Sequence, residues 1–252
     1  MESVKPRPAA GVLRSNASPG AGGEAPGGGA SGQDVGDRTV TRTNPLLGWG
    51  YAQPQRRRAL MPEDLKRMCI PEVLWRVKLH GVQDSVRNVV HNYLFKIDTY
   101  VKQGVGLFIV GERGVGKTSI AALVAKEARM RGHTVFFTPV YMLREAVKSR
   151  VNFDEDITYL KRCRDVDVLI LDDLHAADLT GFDARLVEDL LSYRKQAQRV
   201  TVVTTSEKPT AWGDKASELK VLLLGSLVTL DVQGENLNEE RHEALSKEVL
   251  GA

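Results

Sequence analysis

Two cysteines in 252 residues leave no room for a disulfide framework. Cys69 and Cys163 stand far apart, with no C-x-x-C and no His/Cys cluster near either, so the spacing of a structural zinc site is missing as well. Such usage suits a reducing compartment, and the cytoplasm is the expected location. No apolar run approaches the ~20 residues of a membrane span, and the N-terminus lacks the apolar core of a signal peptide, so no membrane partner is expected. Charge of one sign is also lacking. The 35 Lys and Arg against 32 Asp and Glu give a net charge of +3, and any role on nucleic acid has to rest on local patches. The five histidines are scattered; His175 follows the acid strand and reads either as a residue near the site or, ahead of that, as a surface or internally satisfied histidine. Residues 1–45 are poor in large apolar side chains and carry Gly-Gly-Gly at 27–29. They cannot bury enough surface to offset their ordering entropy, and disorder is expected there.

Against these absences stands one dense stretch. Gly111, Gly114, Gly116, Lys117 and Thr118 complete the pattern G-x-x-x-x-G-K-[ST], with Glu112, Arg113, Val115 and Ser119 filling and following the loop. Ahead of it, Leu107 to Val110 is a short apolar run bounded by glycines, which suits a strand buried on both faces. Behind it, Ile120, Leu123, Val124 and Ala128 recur at helical spacing. Strand, glycine loop and helix N-terminus together make a polyanion cradle. Backbone N–H groups converge on phosphate where a Cβ would obstruct, the helix terminus adds unsatisfied donors, and Lys117 reaches the β and γ phosphates. The Thr118 hydroxyl is placed to ligate magnesium. The expected cofactors are ATP and Mg2+.

The rest of the chain supplies what such a loop requires. A short helix is expected from Pro62, broken at Cys69-Ile70-Pro71-Glu72, and a long amphipathic helix over Asp84 to Gln103. Strands are expected at Thr134–Thr138, Val166–Asp173, Arg199–Ser206 and Leu227–Val232, with helices between them. Alternation of this kind predicts a three-layer α/β/α sandwich on a parallel sheet of about five strands. The third strand ends in Asp172 and Asp173. A carboxylate at that place serves a magnesium–phosphate site, so Asp172 is assigned to the metal through its water shell and Asp173 to orienting the attacking water. Ser206, at the tip of the fourth strand, reads either as a contact to the γ-phosphate or the water, or as a turn former. After Gly234 a charged helix of some fifteen residues is expected, with no room for a separate lid domain. The expected organisation is a tail over 1–45, a docking segment and linker over 46–81, and an ATPase domain over 82–252. In the middle piece, Leu46, Leu47, Trp49 and Tyr51 precede Arg56-Arg57-Arg58, which suits a peptide that orders on a partner or a solvated linker.

In order along the chain, Ile70-Pro71-Glu72, the helix to Gly104, the phosphate loop, Val168-Leu-Ile-Leu-Asp-Asp-Leu174 and Val200-Thr-Val-Val-Thr-Thr-Ser206 resemble the DnaC/IstB branch of AAA+ ATPases. The resemblance covers about residues 68 to 235 and implies an AAA+ core without a C-terminal lid. It also implies slow, partner-stimulated ATP hydrolysis and homo-oligomeric assembly on single-stranded DNA or on a replicative helicase, with the N-terminal region docking the helicase or, in the other half of the branch, a transposase. The helicase loader is the leading reading and the transposition helper the second. An ATP-binding scaffold with negligible turnover and a P-loop small-molecule kinase are the readings from other classes. Two departures bear on turnover: Ser206 stands where the branch carries Asn, and Lys220 stands near its intersubunit arginine. Between the second and third strands Arg144, Lys148, Arg150, Phe153, Tyr159, Lys161, Arg162 and Arg164 mix cations with aromatics, which fits either a single-strand binding surface or a solvated helix face.

Overall fold

The computed structural model describes residues 57–79, 82–148, 153–175, 181–212 and 216–234, with a few single positions between and beyond them. The glycine-rich tail, the Trp49–Tyr51 stretch, Arg150 and most of the charged segment after Gly234 lie outside the described residues. The elements run α1 (Pro62–Arg67), a 3-10 turn (Glu72–Leu74), α2 (Asp84–Phe95), α3 (Ile97–Gln103), β1 (Gly106–Val110), α4 (Lys117–Met130), β2 (Val135–Pro139), α5 (Val140–Lys148) and α6 (Phe153–Asp165). They continue with β3 (Val168–Asp172), α7 (Gly181–Gln196), β4 (Val200–Thr205), a second 3-10 turn (Pro209–Ala211), α8 (Ser217–Ser226) and β5 (Leu227–Asp231).

All five strands are parallel, in the order β2-β3-β4-β1-β5. The predicted parallel α/β/α sandwich is therefore the fold observed. Strand residues alternate between two apolar clusters, as a sheet covered on both faces requires. Leu107, Ile109, Phe137, Ile170 and Val202 face α4 and the α2 side, where Ile120, Ala121, Val124 and Ala125 are fully buried. Phe108, Val110, Phe136, Leu169, Leu171 and Val203 share the opposite cluster with Val187 and Leu190 of α7 and with Leu219 and Leu223 of α8. The register pairs Val110 with Thr205 and Leu171 with Val203. The C-terminal ends of β1 and β3 thus emerge on either side of β4, at one edge of the sheet, where open α/β sheets hold their ligands.

The helix expected over Asp84–Gln103 is broken in two. Lys96, at φ −97° and ψ 16°, closes α2 and opens α3. On an unbroken helix Tyr93 and Tyr100 would stand two turns, about 10.5 Å, apart. With the break their rings stack at 4.8 Å between centroids, and the Tyr93 hydroxyl donates to Val105 O at 2.6 Å. The third strand is shorter than expected at both ends. Asp167 instead accepts from the Thr134 N–H and hydroxyl at 2.8 and 2.7 Å, joining the starts of β2 and β3.

The described residues ahead of α2, 57–79, include several packed into the domain. Leu65, Met68 and Ile70 are buried in the same cluster as β1 and α4. The Lys126 ammonium of α4, pulled below its ordinary pKa by burial, donates to Leu74 O and Trp75 O. Asp64 anchors this segment to the end of α4. Its carboxylate accepts from Arg58 Nη2 at 2.6 Å, from Arg129 Nε and Nη2 at 3.1 and 3.0 Å, and from the Met61 N–H at 3.2 Å. The Arg58 hydrogen bond, ahead of the others, holds the carboxyl at about 2. A carboxylate with a depressed folded pKa stabilises the fold fully above its unfolded value near 4, and that contribution disappears as pH falls through 2. Urea midpoints measured from pH 5 down to pH 2 should therefore fall more steeply for the parent than for Asp64→Asn, whose curve should start lower and lie flatter.

Candidate nucleotide-binding site

The phosphate loop takes its shape from its glycines, as Gly111 and Gly116 show. A Cβ on Gly111 would stand 2.2 Å from Val232 O, because the chain leaving β5 runs directly alongside; Val232 N–H donates to Val110 O at 2.7 Å. Gly116, at φ +97°, is the residue before α4 and turns the loop into the helix. An L side chain is strained there, and glycine is not. The amides of Lys117 and Thr118 thus head a fourteen-residue helix whose N-terminus carries unsatisfied donors and partial positive charge. Glu112 and Arg113 are exposed on the loop, Val115 is buried beneath it, and Ser119 is half-buried in the first turn of α4. The Lys117 side chain is buried, with Nζ donating to Glu112 O at 2.5 Å. Burial lowers its pKa, opposed by the charges of Asp173 and Asp172. Both acids therefore act electrostatically on the lysine that the loop presents.

Asp172, the last residue of β3, is held from two sides. Thr118 Oγ1 donates to its two carboxylate oxygens at 3.0 and 3.3 Å, and Thr204 Oγ1 donates to Oδ1 at 2.7 Å. Burial pushes this carboxyl up, the two hydroxyl bonds pull it back, and the neighbouring Asp173 adds to the rise. A desolvated carboxylate facing a threonine hydroxyl is a hard-oxygen pair short of positive charge, and the donor set fits magnesium. Magnesium takes few protein ligands beside phosphate oxygens and water. Among the described residues no cluster of three or more His, Cys, Asp or Glu surrounds a metal position.

Asp173 leaves the strand in the left-handed region, at φ +61°, which aspartate tolerates better than most residues. Its N–H donates to Thr204 Oγ1 at 2.9 Å. One threonine hydroxyl thus accepts from the backbone of the second acid and donates to the carboxylate of the first. Thr204 escaped the sequence reading, which looked to the tip of β4. The signal was present: in a two-residue period Thr204 continues the face of Val200 and Val202, and a hydroxyl at the exit end of a buried strand needs a partner. Ser206 lies one residue past β4, half-buried, and Lys220 sits half-buried in the first turn of α8. Among the described residues neither is hydrogen-bonded to Asp172 or Asp173.

His175 lies close to the acids, its two ring nitrogens within ion-pair distance of two carboxylates. Its Nε2 stands 3.0 Å from Asp173 Oδ1 and its Nδ1 3.4 Å from Glu207 Oε1. Part of the basic and aromatic stretch is engaged inside the domain. Tyr159 bonds Thr138 at 2.6 Å, the Arg162 guanidinium lies 4.1 Å from the centre of the Phe136 ring and donates to Arg67 O, and Arg164 stands over Tyr193. Lys161 is exposed and Arg144 half-buried.

The comparisons with known proteins agree with this geometry. A family model described as IstB-like ATP binding protein matches residues 91–223, from α2 through α8. An insertion sequence IS21 ATP-binding protein of Pseudomonas aeruginosa is 29% identical over 154 residues, which take in 56% of this chain and 56% of that protein's length. An insertion sequence ATP-binding protein, y4uH, of Sinorhizobium fredii is 25% identical over 186 residues, 68% of this chain and 75% of that one. Among solved structures, the DnaC helicase loader superposes with a TM-score of 0.57 at 21% identity, covering 65% of this chain and all of that one. DnaI gives 0.54 at 22% identity, over 67% and 94%. The two structures share the fold, and the family match spans the phosphate loop, both acids and the Thr204 strand: the chain belongs to the IstB-like ATP-binding family.

Proposed function

We propose that this protein binds ATP with Mg2+, hydrolyses it slowly, and uses ATP-dependent self-assembly to serve as the helper ATPase of an insertion-sequence transposase. The observation that carries the nucleotide part is the Asp172 carboxylate held between the hydroxyls of Thr118 and Thr204 at the N-terminus of α4. The triphosphate would lie along the loop, with amides of residues 114–118 and the Lys117 ammonium on its oxygens. Thr118 and Asp172 would hold magnesium, which when bound supplies charge neutralisation between the β and γ phosphates. Asp173, outside the strand and acting on Lys117 through its charge, is the acid assigned to orient water. Ser206 and Lys220 remain candidates for the γ-phosphate contact and for the cation offered to a neighbouring subunit; a lysine there is a weaker clamp than a guanidinium fork, which suits slow turnover.

The insertion-sequence names of the sequence relatives support the transposase as partner. The helicase-loader reading draws on the resemblance to the DnaC side of the branch and keeps single-stranded DNA as a ligand. No helix among the described residues is long and apolar enough to cross a membrane, and the proposed site of action is the cytoplasm. Affinity purification of the full chain from its own cells in the presence of ATP, with mass spectrometry, separates the readings. A transposase is expected among the captured proteins, and deletion of residues 1–56 should lose it while sparing ATP binding. Capture of a hexameric helicase in its place would overturn the transposase assignment in favour of the loader.

A further inference from the structure

We propose that His175 is a positioning residue that clasps the Asp173 carboxylate and is itself held by Glu207, so that the second acid and the tip of β4 act as one piece. The inference rests on the role given above to Asp173 in ATP hydrolysis.

The two loops concerned are already joined along their backbones. Leu174 N–H donates to Thr204 O at 2.8 Å, the Thr205 hydroxyl donates to Leu174 O at 2.7 Å, and Glu207 N–H donates to Thr205 Oγ1 at 3.1 Å. This lattice fixes the main chain of Asp173 and leaves its side chain to be placed. That side chain is 63% exposed. A surface aspartate free to change rotamer spends only part of its time in any one orientation. The 3.0 Å pair with His175 Nε2 removes that freedom, because the imidazole is mostly buried, with 18% of its side chain exposed, and cannot follow the carboxylate outward.

Glu207 completes the arrangement from the other loop. With Glu207 Oε1 at 3.4 Å from Nδ1, both ring nitrogens face carboxylates. A neutral ring can donate to one of them and a protonated ring to both. In either state the second carboxylate constrains the ring and so the position of Nε2 against Asp173. Glu207 follows Ser206 directly, so a shift of the β4 tip toward a phosphate would be felt at Asp173 through the ring. Simple filling of a surface niche by an imidazole would need neither carboxylate.

The test compares parent, His175→Ala, His175→Gln, Glu207→Ala and the His175→Ala/Glu207→Ala pair, in the full chain, by steady-state ATP hydrolysis and by affinity for a fluorescent ATP analogue. His175→Ala is expected to lower kcat about 10- to 100-fold, the scale of a misplaced reacting group, with KM and analogue affinity within about twofold. His175→Gln, which keeps one donor, should recover most of the loss. Glu207→Ala should cost less alone and nothing further on top of His175→Ala. An unchanged kcat in His175→Ala, or equal losses in the Ala and Gln variants accompanied by lower affinity, would overturn the proposal. A second measurement needs no turnover: the ring nitrogen NMR signals of His175 should move in both Asp173→Asn and Glu207→Gln. Signals that stay in place overturn the clasp. A parent that hydrolyses no ATP while those signals move overturns the hydrolysis reading instead.

Discussion

Asp173→Asn should bind ATP as the parent does and fail to hydrolyse it. The substitution keeps shape and the backbone bond from Asp173 N to Thr204 Oγ1. What it removes is the negative charge beside Lys117 and the capacity to draw a proton from water. Placed acid–base groups contribute about 10²- to 10⁴-fold, and a loss of kcat in that range is expected, with analogue affinity changed less than about threefold. Single-turnover hydrolysis and equilibrium binding on one preparation measure both. Turnover equal to the parent's would remove Asp173 from the chemistry. The asymmetry between the acids is part of the expectation: Asp172, more buried and bonded to two hydroxyls, should affect magnesium dependence when changed to Asn, because its oxygens face Thr118.

The largest stability effect should come from a residue remote from the nucleotide. Arg194 of α7 is fully buried, and its hydrogen bonds go to backbone carbonyls and the Thr201 hydroxyl. Its Nη1 donates to the carbonyls of Cys163, Arg164 and Val166 at 2.9, 3.1 and 2.8 Å, its Nη2 to Val200 O at 2.6 Å, and its Nε to Thr201 Oγ1 at 2.9 Å. These acceptors are the closing carbonyls of α6 and the beginning of β4. Burial pulls the guanidinium below its ordinary pKa, and the carbonyl dipoles stand in for a counterion. Arg194→Met would fill much of the volume and leave those carbonyls buried without donors. Each orphaned group costs about 1–3 kcal/mol, so the loss of several such bonds should cost at least about 3 kcal/mol in all. Urea unfolding should show that loss at an unchanged slope. Arg194→Lys should recover only part of it, since one ammonium cannot reach both the α6 end and β4. A loss below about 1 kcal/mol would contradict this account of the residue.

The layered fold was legible because strand and helix periods differ and because each strand is short, with β1 and β3 apolar and bounded by glycine or acid. The loop was legible because its glycines are required locally, at Gly111 by the approach of Val232 and at Gly116 by a positive φ. Asp172 was legible as an acid ending an apolar strand. The sequence reading missed what depends on neighbours brought together by the sheet. Thr204 meets Asp172 only because β4 lies beside β3, and His175 meets Glu207 only because the loops after those strands share an edge. Arg194 gave no local sign, since its partners come from α6 and β4. The break at Lys96 arises in the same way, from the stacking of Tyr93 on Tyr100 and the bond to Val105, against a helical period that runs on without interruption.

The central claim is that ATP and magnesium bind at the loop between β1 and α4. Isothermal titration of the full chain with ATP, with and without Mg2+, alongside Lys117→Ala, tests it most directly. Saturable 1:1 binding that strengthens with Mg2+ is expected for the parent, weakened about 10- to 100-fold in Lys117→Ala, the scale of a charge-assisted contact to phosphate. Equal affinity in parent and Lys117→Ala would contradict the account.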